Sequence, residues 1–158
     1  MRLNSKLVLV FSAMLGSFWS SAQIIRVHVI NADTGISVSR KKVQITSALE
    51  SHGKPTHLVQ VHPKIDLKTL KDGSISFDLS QLGAPPPEKL LISIAEGNWT
   101  QCSPLSVSTA TVLESGIIEE NFCKSKATDG HTYSARPGEV MIFTRHISFG
   151  EKLRRFPE

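Results

Sequence analysis

The 158-residue sequence has little of several things that decide function. It holds two cysteines, one tyrosine, two tryptophans and 6% aromatic residues in all. Its charge excess is small: 18 Lys and Arg stand against 14 Asp and Glu. Setting aside Arg2 and Lys6 in the leading segment leaves 16 cations against 14 anions. No excess of cations remains to displace counterions from phosphate, so nucleic acid is not an expected partner. The chain carries no Gly-x-Ser-x-Gly elbow, no His-Glu-x-x-His and no phosphate-binding glycine loop. Those absences remove the signatures of α/β-hydrolases, zincins and nucleotide-binding folds. Asp33, Asp72 and Asp129 each precede or approach a glycine and read as turn aspartates. None lies in a loop with enough oxygen ligands for calcium. No catalytic residue, metal site or cofactor is expected. The hydrophobic share of 40% is too high for a disordered chain, and the length suits one ordinary domain.

Long apolar runs are also scarce, and the one present is informative. After Arg2 and Lys6, Leu7 to Trp19 form 13 uncharged, mostly apolar residues, followed by Ser20-Ser21-Ala22. A membrane-spanning helix needs about 20 apolar residues. A charged start, a short apolar stretch and small residues at the end read instead as a secretory signal peptide, with cleavage expected between Ala22 and Gln23. Residues 1–22 are thus expected to be removed, leaving no stable membrane span and a secreted or periplasmic product. Such a product meets an oxidising compartment, where Cys102 and Cys123 are most simply a disulfide closing a 22-residue loop. Free thiols and a metal pair are the alternatives, although the spacing fits no zinc site.

The rest alternates as strands do. In Ile24 to Asn31, Ile25, Val27 and Val29 fall on one face. Asp33-Thr34-Gly35 reads as a turn, and Val43 to Thr46 as a second strand. A short third strand is expected over Leu58 to Val61, stopped by Pro63. Lys71-Asp72-Gly73 reads as a hairpin-type turn before Ser74 to Leu79. Gly83-Ala84-Pro85-Pro86-Pro87 must be a surface connection, because proline donates nothing to a ladder. Leu90 to Ala95 is a strongly apolar strand. Beyond Cys102 the pattern weakens to a helical turn or two over Thr109 to Ser115, stopped by Gly116, and a short extended piece over Ile117 to Phe122. Lys124 to Gly138 reads as a loop and Glu139 to Ile147 as a final strand. The expected fold is an all-β antiparallel sandwich of about seven strands over residues 23–147, with at most one short helix.

Several of these pieces resemble the carboxypeptidase regulatory-like domains, which share the transthyretin-like (prealbumin-like) sandwich. The matching residues are Val27 to Val38, with Asn31, Thr34 and Gly35 in the turn, then Val43-Gln44-Ile45. Asp72 to Leu79 follows, and then Leu90 to Ile94 with Gly97-Asn98-Trp99. Ser37 stands where the family usually has proline, and Ser39-Arg40-Lys41-Lys42 replaces its usual Gly-Ala stretch. The pieces Gly116-Ile117-Ile118, Asn121-Phe122-Cys123 and Pro137-Gly138-Glu139 resemble small exported bacterial proteins. The first resemblance implies a non-catalytic support, attachment or adhesion module, whose partner would be another envelope or extracellular protein. His28-Val29-Ile30-Asn31 with Gly35 also resembles the opening of the transthyretin-related hydroxyisourate hydrolases, which implies a catalytic His28. The Tyr-Arg-Gly-Ser ending of those enzymes is absent.

Three other features invite functional readings. His52, His57 and His62 cluster in sequence, but the separation of five puts the last two on opposite faces of a strand, and solvated histidines are expected. Asn98-Trp99-Thr100 matches the glycosylation acceptor pattern, one that also occurs by chance. In the basic-aromatic tail, residues 148–158, Phe149, Leu153 and Phe156 share helical spacing and lie among Lys152, Arg154 and Arg155. This tail reads either as a terminal turn packed on its own sandwich or as a docking element.

Overall fold

A computed structural model describes residues 23–50, 58–94, 97–103, 105–123, 132–148 and 151. They form two sheets. One has the order β4 (Ser74–Asp78), β1 (Ile24–Asn31), β9 (Glu139–His146), β6 (Trp99–Gln101), with the two-residue β8 (Ile117–Ile118) also on β9. The other has the order β3 (Leu58–Lys68), β2 (Lys42–Glu50), β5 (Lys89–Ile94), β7 (Leu105–Ser108).

The apolar alternation of each strand closes the interior. Ile25, Val27 and Val29 of β1 and Val140 and Ile142 of β9 face Val43 and Ile45 of β2 and Leu90 and Ile92 of β5, all of them fully buried. Burying each such side chain contributes about 1.5–3 kcal/mol relative to leaving it in water. The helix α1 (Thr109–Ser115) adds Val112, and a 3₁₀ turn at Leu79–Leu82 adds Leu79 and Leu82. Ser108 caps α1, its side chain accepting from the Thr111 amide, and Gly116 ends it at φ +72°. A side chain at Gly116 would collide with the Arg136 carbonyl, so this stop needs glycine twice over.

The sandwich class and the helix boundaries match the sequence expectation, and the strand details differ in instructive ways. Among the described residues there are nine strands, because β6 and β7, with three and four residues, offer too little alternation to read. β3 does not stop at Pro63 but runs to Lys68. It is an edge strand, and its register against β2 shifts between Thr46 and Ser47, so the proline sits where the ladder makes no demand on it. Lys71-Asp72-Gly73 is a turn but not a hairpin: it carries the chain from β3 in one sheet to β4 in the other. Gly73, at φ +75°, lets Ser37 and Val38 approach to where a Cβ would lie 2.7 Å from Ser37 Cβ. The pairing is mostly antiparallel, but β1 and β8 both run parallel to β9. Ile117 to Phe122 is strand only at its first two residues.

Candidate binding groove

The turn from Asn31 to Gly35 is built locally. Asn31 Oδ1 accepts from the Asp33 amide at 2.8 Å, and the Gly35 amide donates to the Asn31 carbonyl. The chain then crosses to β2, pinned by buried Thr69. The Thr69 hydroxyl donates to the Val38 carbonyl at 2.9 Å and accepts from the Lys41 amide at 2.8 Å. Arg40 adopts φ +58° in this crossover, a conformation uncommon for a residue with a side chain. These constraints direct Lys41 toward β6, where its Nζ lies 4.7 Å from the centre of the Trp99 ring. Such a cation–π contact is worth about 0.5–1 kcal/mol at an exposed site.

Trp99 pairs with His146 across β6 and β9, with the rings edge to face at 5.6 Å. Around them lies an open groove of about 510 Å³ lined by Lys41, Gly97, Asn98, Trp99 and His146. A second hollow of about 360 Å³ shares Lys41 and Trp99 with it and extends along the Asn31–Ser39 turn past the exposed Ile36. Two segments of the family-like pattern, one at Asn31 and one at Trp99, therefore meet at one end of the sandwich. This groove offers hydrogen-bonding amides, a cation and an aromatic floor, and no carboxylate among its described lining residues. The sequence reading missed Lys41 and His146 as its partners. Lys41 sits in the stretch that departs from the family pattern, and nothing local marks it.

His28 lies on the outer face of the β1/β9 sheet, half-buried. Its Nε2 stands 3.7 Å from Glu139 Oε1, too far for a hydrogen bond, and makes none elsewhere. Its register neighbour Ser74 directs its hydroxyl to Asp72 at 2.9 Å. That hydroxyl is therefore engaged by Asp72, which is held below the usual carboxylate range mainly by the Ser74 amide.

The described residues around Cys102, Cys123 and Tyr133, called the flap below, lie over the same outer face. Cys102 and Cys123 are joined, with 5.2 Å between Cα atoms. With Tyr133 and Met141 they cover Ile30, Ala32 and Phe143, a small apolar cluster separate from the main interior. Tyr133 meets Phe143 edge to face at 5.1 Å. Glu119, only 3% exposed, lies at the flap's junction with β9. Burial pushes its carboxyl up to about 7, against the lowering effect of donors from Phe143, Gln101 and Ser103. Phe122, by contrast, is 66% exposed beside Cys123.

Of the other residues singled out in the sequence, Ala22, His52, His57, Phe149, Leu153, Arg154, Arg155 and Phe156 lie outside the described residues, as do residues 1–22 as a whole. At the tail's start, Arg145 and Glu151 form a bidentate pair, and Ser148 donates to Glu151 through both its amide and its hydroxyl. Among the described residues, no three His, Cys, Asp or Glu side chains could hold a metal ion together. Among them, too, no helix is long and apolar enough to cross a membrane.

No family model matches the chain, and no curated protein matches it. Among solved structures, it is similar to the full-length major pilin SpaD from Corynebacterium diphtheriae, with a TM-score of 0.46 and 10% identity. That superposition covers 79% of this chain and 32% of the pilin, so the chain spans about a third of the pilin's length.

Proposed function

We propose that this protein is an exported, non-catalytic β-sandwich that binds or supports another component of the cell envelope, and that the Lys41–Trp99–His146 groove is the surface it uses. The observation that carries this reading is the convergence just described. The Asn31 turn and Trp99, from two separate segments that resemble the carboxypeptidase regulatory-like pattern, build one open groove together with Lys41 and His146. The export signal, the disulfide and the transthyretin-like character of the sandwich belong to the same reading. The test is a photo-crosslinking residue placed at Ile36, on the groove rim, and as a control at exposed Ser106 on β7. In cells of the source organism, Ile36 should give a discrete adduct that Ser106 does not. No adduct at Ile36, or the same set from both positions, overturns the proposal.

Two other readings are weaker on specific grounds. A hydroxyisourate-type hydrolase would rest on His28, which among the described residues has Glu139 as its acidic neighbour, 3.7 Å away. A turnover assay without rate above background removes it. A carrier of a small apolar ligand would need room between the sheets, where Ile25, Ile45, Leu90, Ile92 and Ile142 are already fully buried. A native mass equal to that of the bare chain counts against it.

A further inference from the structure

Two neighbouring turns project aliphatic side chains into solvent. Ile36 is 67% exposed and Leu70 is 65% exposed. The segments that carry them are joined. The Thr69 hydroxyl donates to the Val38 carbonyl at 2.9 Å, the Arg40 amide donates to the Thr69 carbonyl at 2.9 Å, and Gly73 packs against Ser37. Each turn is also closed on itself. The Asn31 amide donates to the Ile36 carbonyl at 2.8 Å. The Leu70 amide donates to the Ser74 carbonyl at 2.8 Å, and the Gly73 amide donates to the Leu70 carbonyl at 3.1 Å. With both backbones held in this way, the exposure of Ile36 and Leu70 is a fixed property of the fold.

Cations accompany these two side chains. Arg40, Lys68 and Lys71 are exposed, and none of them takes part in an ion pair among the described residues. Lys41 is half-buried beside Trp99. Within residues 31–41 and 68–73, these four cations stand against two acids, Asp33 and Asp72. From Gln23 onward the rest of the chain balances, with 12 cations against 12 acids, among them the paired Lys42 and Asp66. The net positive charge of the exported chain therefore resides in these two turns. Apolar side chains ringed by Lys and Arg suit anionic lipid: the aliphatic groups leave water at the headgroup–acyl boundary, and the cations stay among the headgroups. Ile36 and Leu70 stand on turns, and Leu70 lines neither hollow of the groove. Projecting side chains of this kind suit a soft surface that they can enter better than a shaped protein pocket.

We propose that these two turns dock the exported protein on an anionic membrane surface, with Ile36 and Leu70 entering the headgroup–acyl boundary and Arg40, Lys68 and Lys71 facing the lipid phosphates. The attachment is peripheral and reversible. Each cation close to such a surface contributes about fivefold in partitioning, and salt weakens that contribution. The membrane surface is a different partner from the one the groove takes, and the docking does not rest on the groove. Because Leu70 lines neither hollow, a change at Leu70 tests the docking and leaves the groove intact.

The test is vesicle flotation of the disulfide-intact chain beginning at Gln23. One set of vesicles is phosphatidylcholine with about a third phosphatidylglycerol, and the other is phosphatidylcholine alone. The chain should float with the anionic vesicles, at least about tenfold more weakly with the neutral ones, and less as salt is raised. Leu70→Ser should weaken flotation several-fold, and Ile36→Ser with Leu70→Ser by about tenfold or more, since each removes an aliphatic group from the boundary. Lys68→Gln with Lys71→Gln should weaken it on the anionic vesicles only. Phe122→Ser, which removes an equally exposed apolar side chain elsewhere, should leave it unchanged. No flotation with anionic vesicles, or equal flotation with both sets, overturns the proposal and needs no variant to fold. Flotation that survives Ile36→Ser with Leu70→Ser, through the tail or any other segment, also overturns it. So does a protein captured through Leu70 by a chain that does not float.

Discussion

The two faces of the β1/β9 sheet are covered in opposite ways. The inner face meets a whole second sheet, and its side chains need nothing but their size and their place in the alternation. The outer face is covered by a flap whose described residues have little regular structure, fastened by a disulfide, a buried carboxyl and an edge-to-face aromatic pair. Area alone holds the first; the second depends on specific chemistry. The inner face is therefore expected to tolerate changes of pH and redox state, and the outer face is not.

The sharpest way to break this contrast is to truncate neighbouring residues of β9. Ile142, fully buried on the inner face, should cost about 2–5 kcal/mol on Ile142→Ala in a denaturant melt. Met141, half-buried on the outer face, should cost clearly less on Met141→Ala. Equal costs would mean that the two faces are not distinct. Next in size is the disulfide. Replacing Cys102 and Cys123 together by alanine frees a 22-residue loop and should cost about 3 kcal/mol by the chain-entropy estimate. The loss should show in hydrogen exchange first at Phe143 and only later at Ile45. A smaller effect tests a third region: Ser108→Ala removes the cap of α1 and should cost about 1 kcal/mol, read as a lower Tm.

The carboxyls sharpen the comparison without altering packing. Glu151 is held down to about 2 by Arg145, with Ser148 adding to the effect. Its contribution to stability is present above 4.5 and is lost as pH falls toward 2, the opposite direction to Glu119. Side-chain carbon shifts should give Glu151 a midpoint near 2 that returns to the ordinary range in Arg145→Gln. An ordinary midpoint in the wild-type chain would mean that the Arg145–Glu151 pair does not hold the start of the tail.

The same contrast explains what could be read from the sequence. The interior between the sheets was legible because Ile25-Val27-Val29, Ile75-Phe77 and Leu90-Ile92 write their burial directly as alternation. α1 was legible from its serine start and its glycine stop. β6 was not, because three residues carry no period and its pairing with β9 is set 43 to 47 residues away, and β8 was legible only as extended chain, its parallel pairing with β9 being set 23 residues away. Glu119 stands beside Glu120, and nothing in the sequence separates the two. What separates them is the Phe143 amide and the Gln101 side chain, which donate to Glu119 from strands distant in sequence. The groove was legible by halves: the Asn31 turn and Trp99 stood out, whereas Lys41 joins them through the crossover pinned by Thr69 and His146 through the pairing of β6 with β9.

All of this depends on β9 lying parallel to β1, since that pairing places the groove at one end of the sheet and the flap on its outer face. Short amide and α-proton distances measured by NMR between the two strands test it directly. Val27 should neighbour Val140, and Ile30 should neighbour Phe143, both chains running in the same direction. An antiparallel pattern between β1 and β9, or contacts that place β9 beside β2 or β5, would contradict the account.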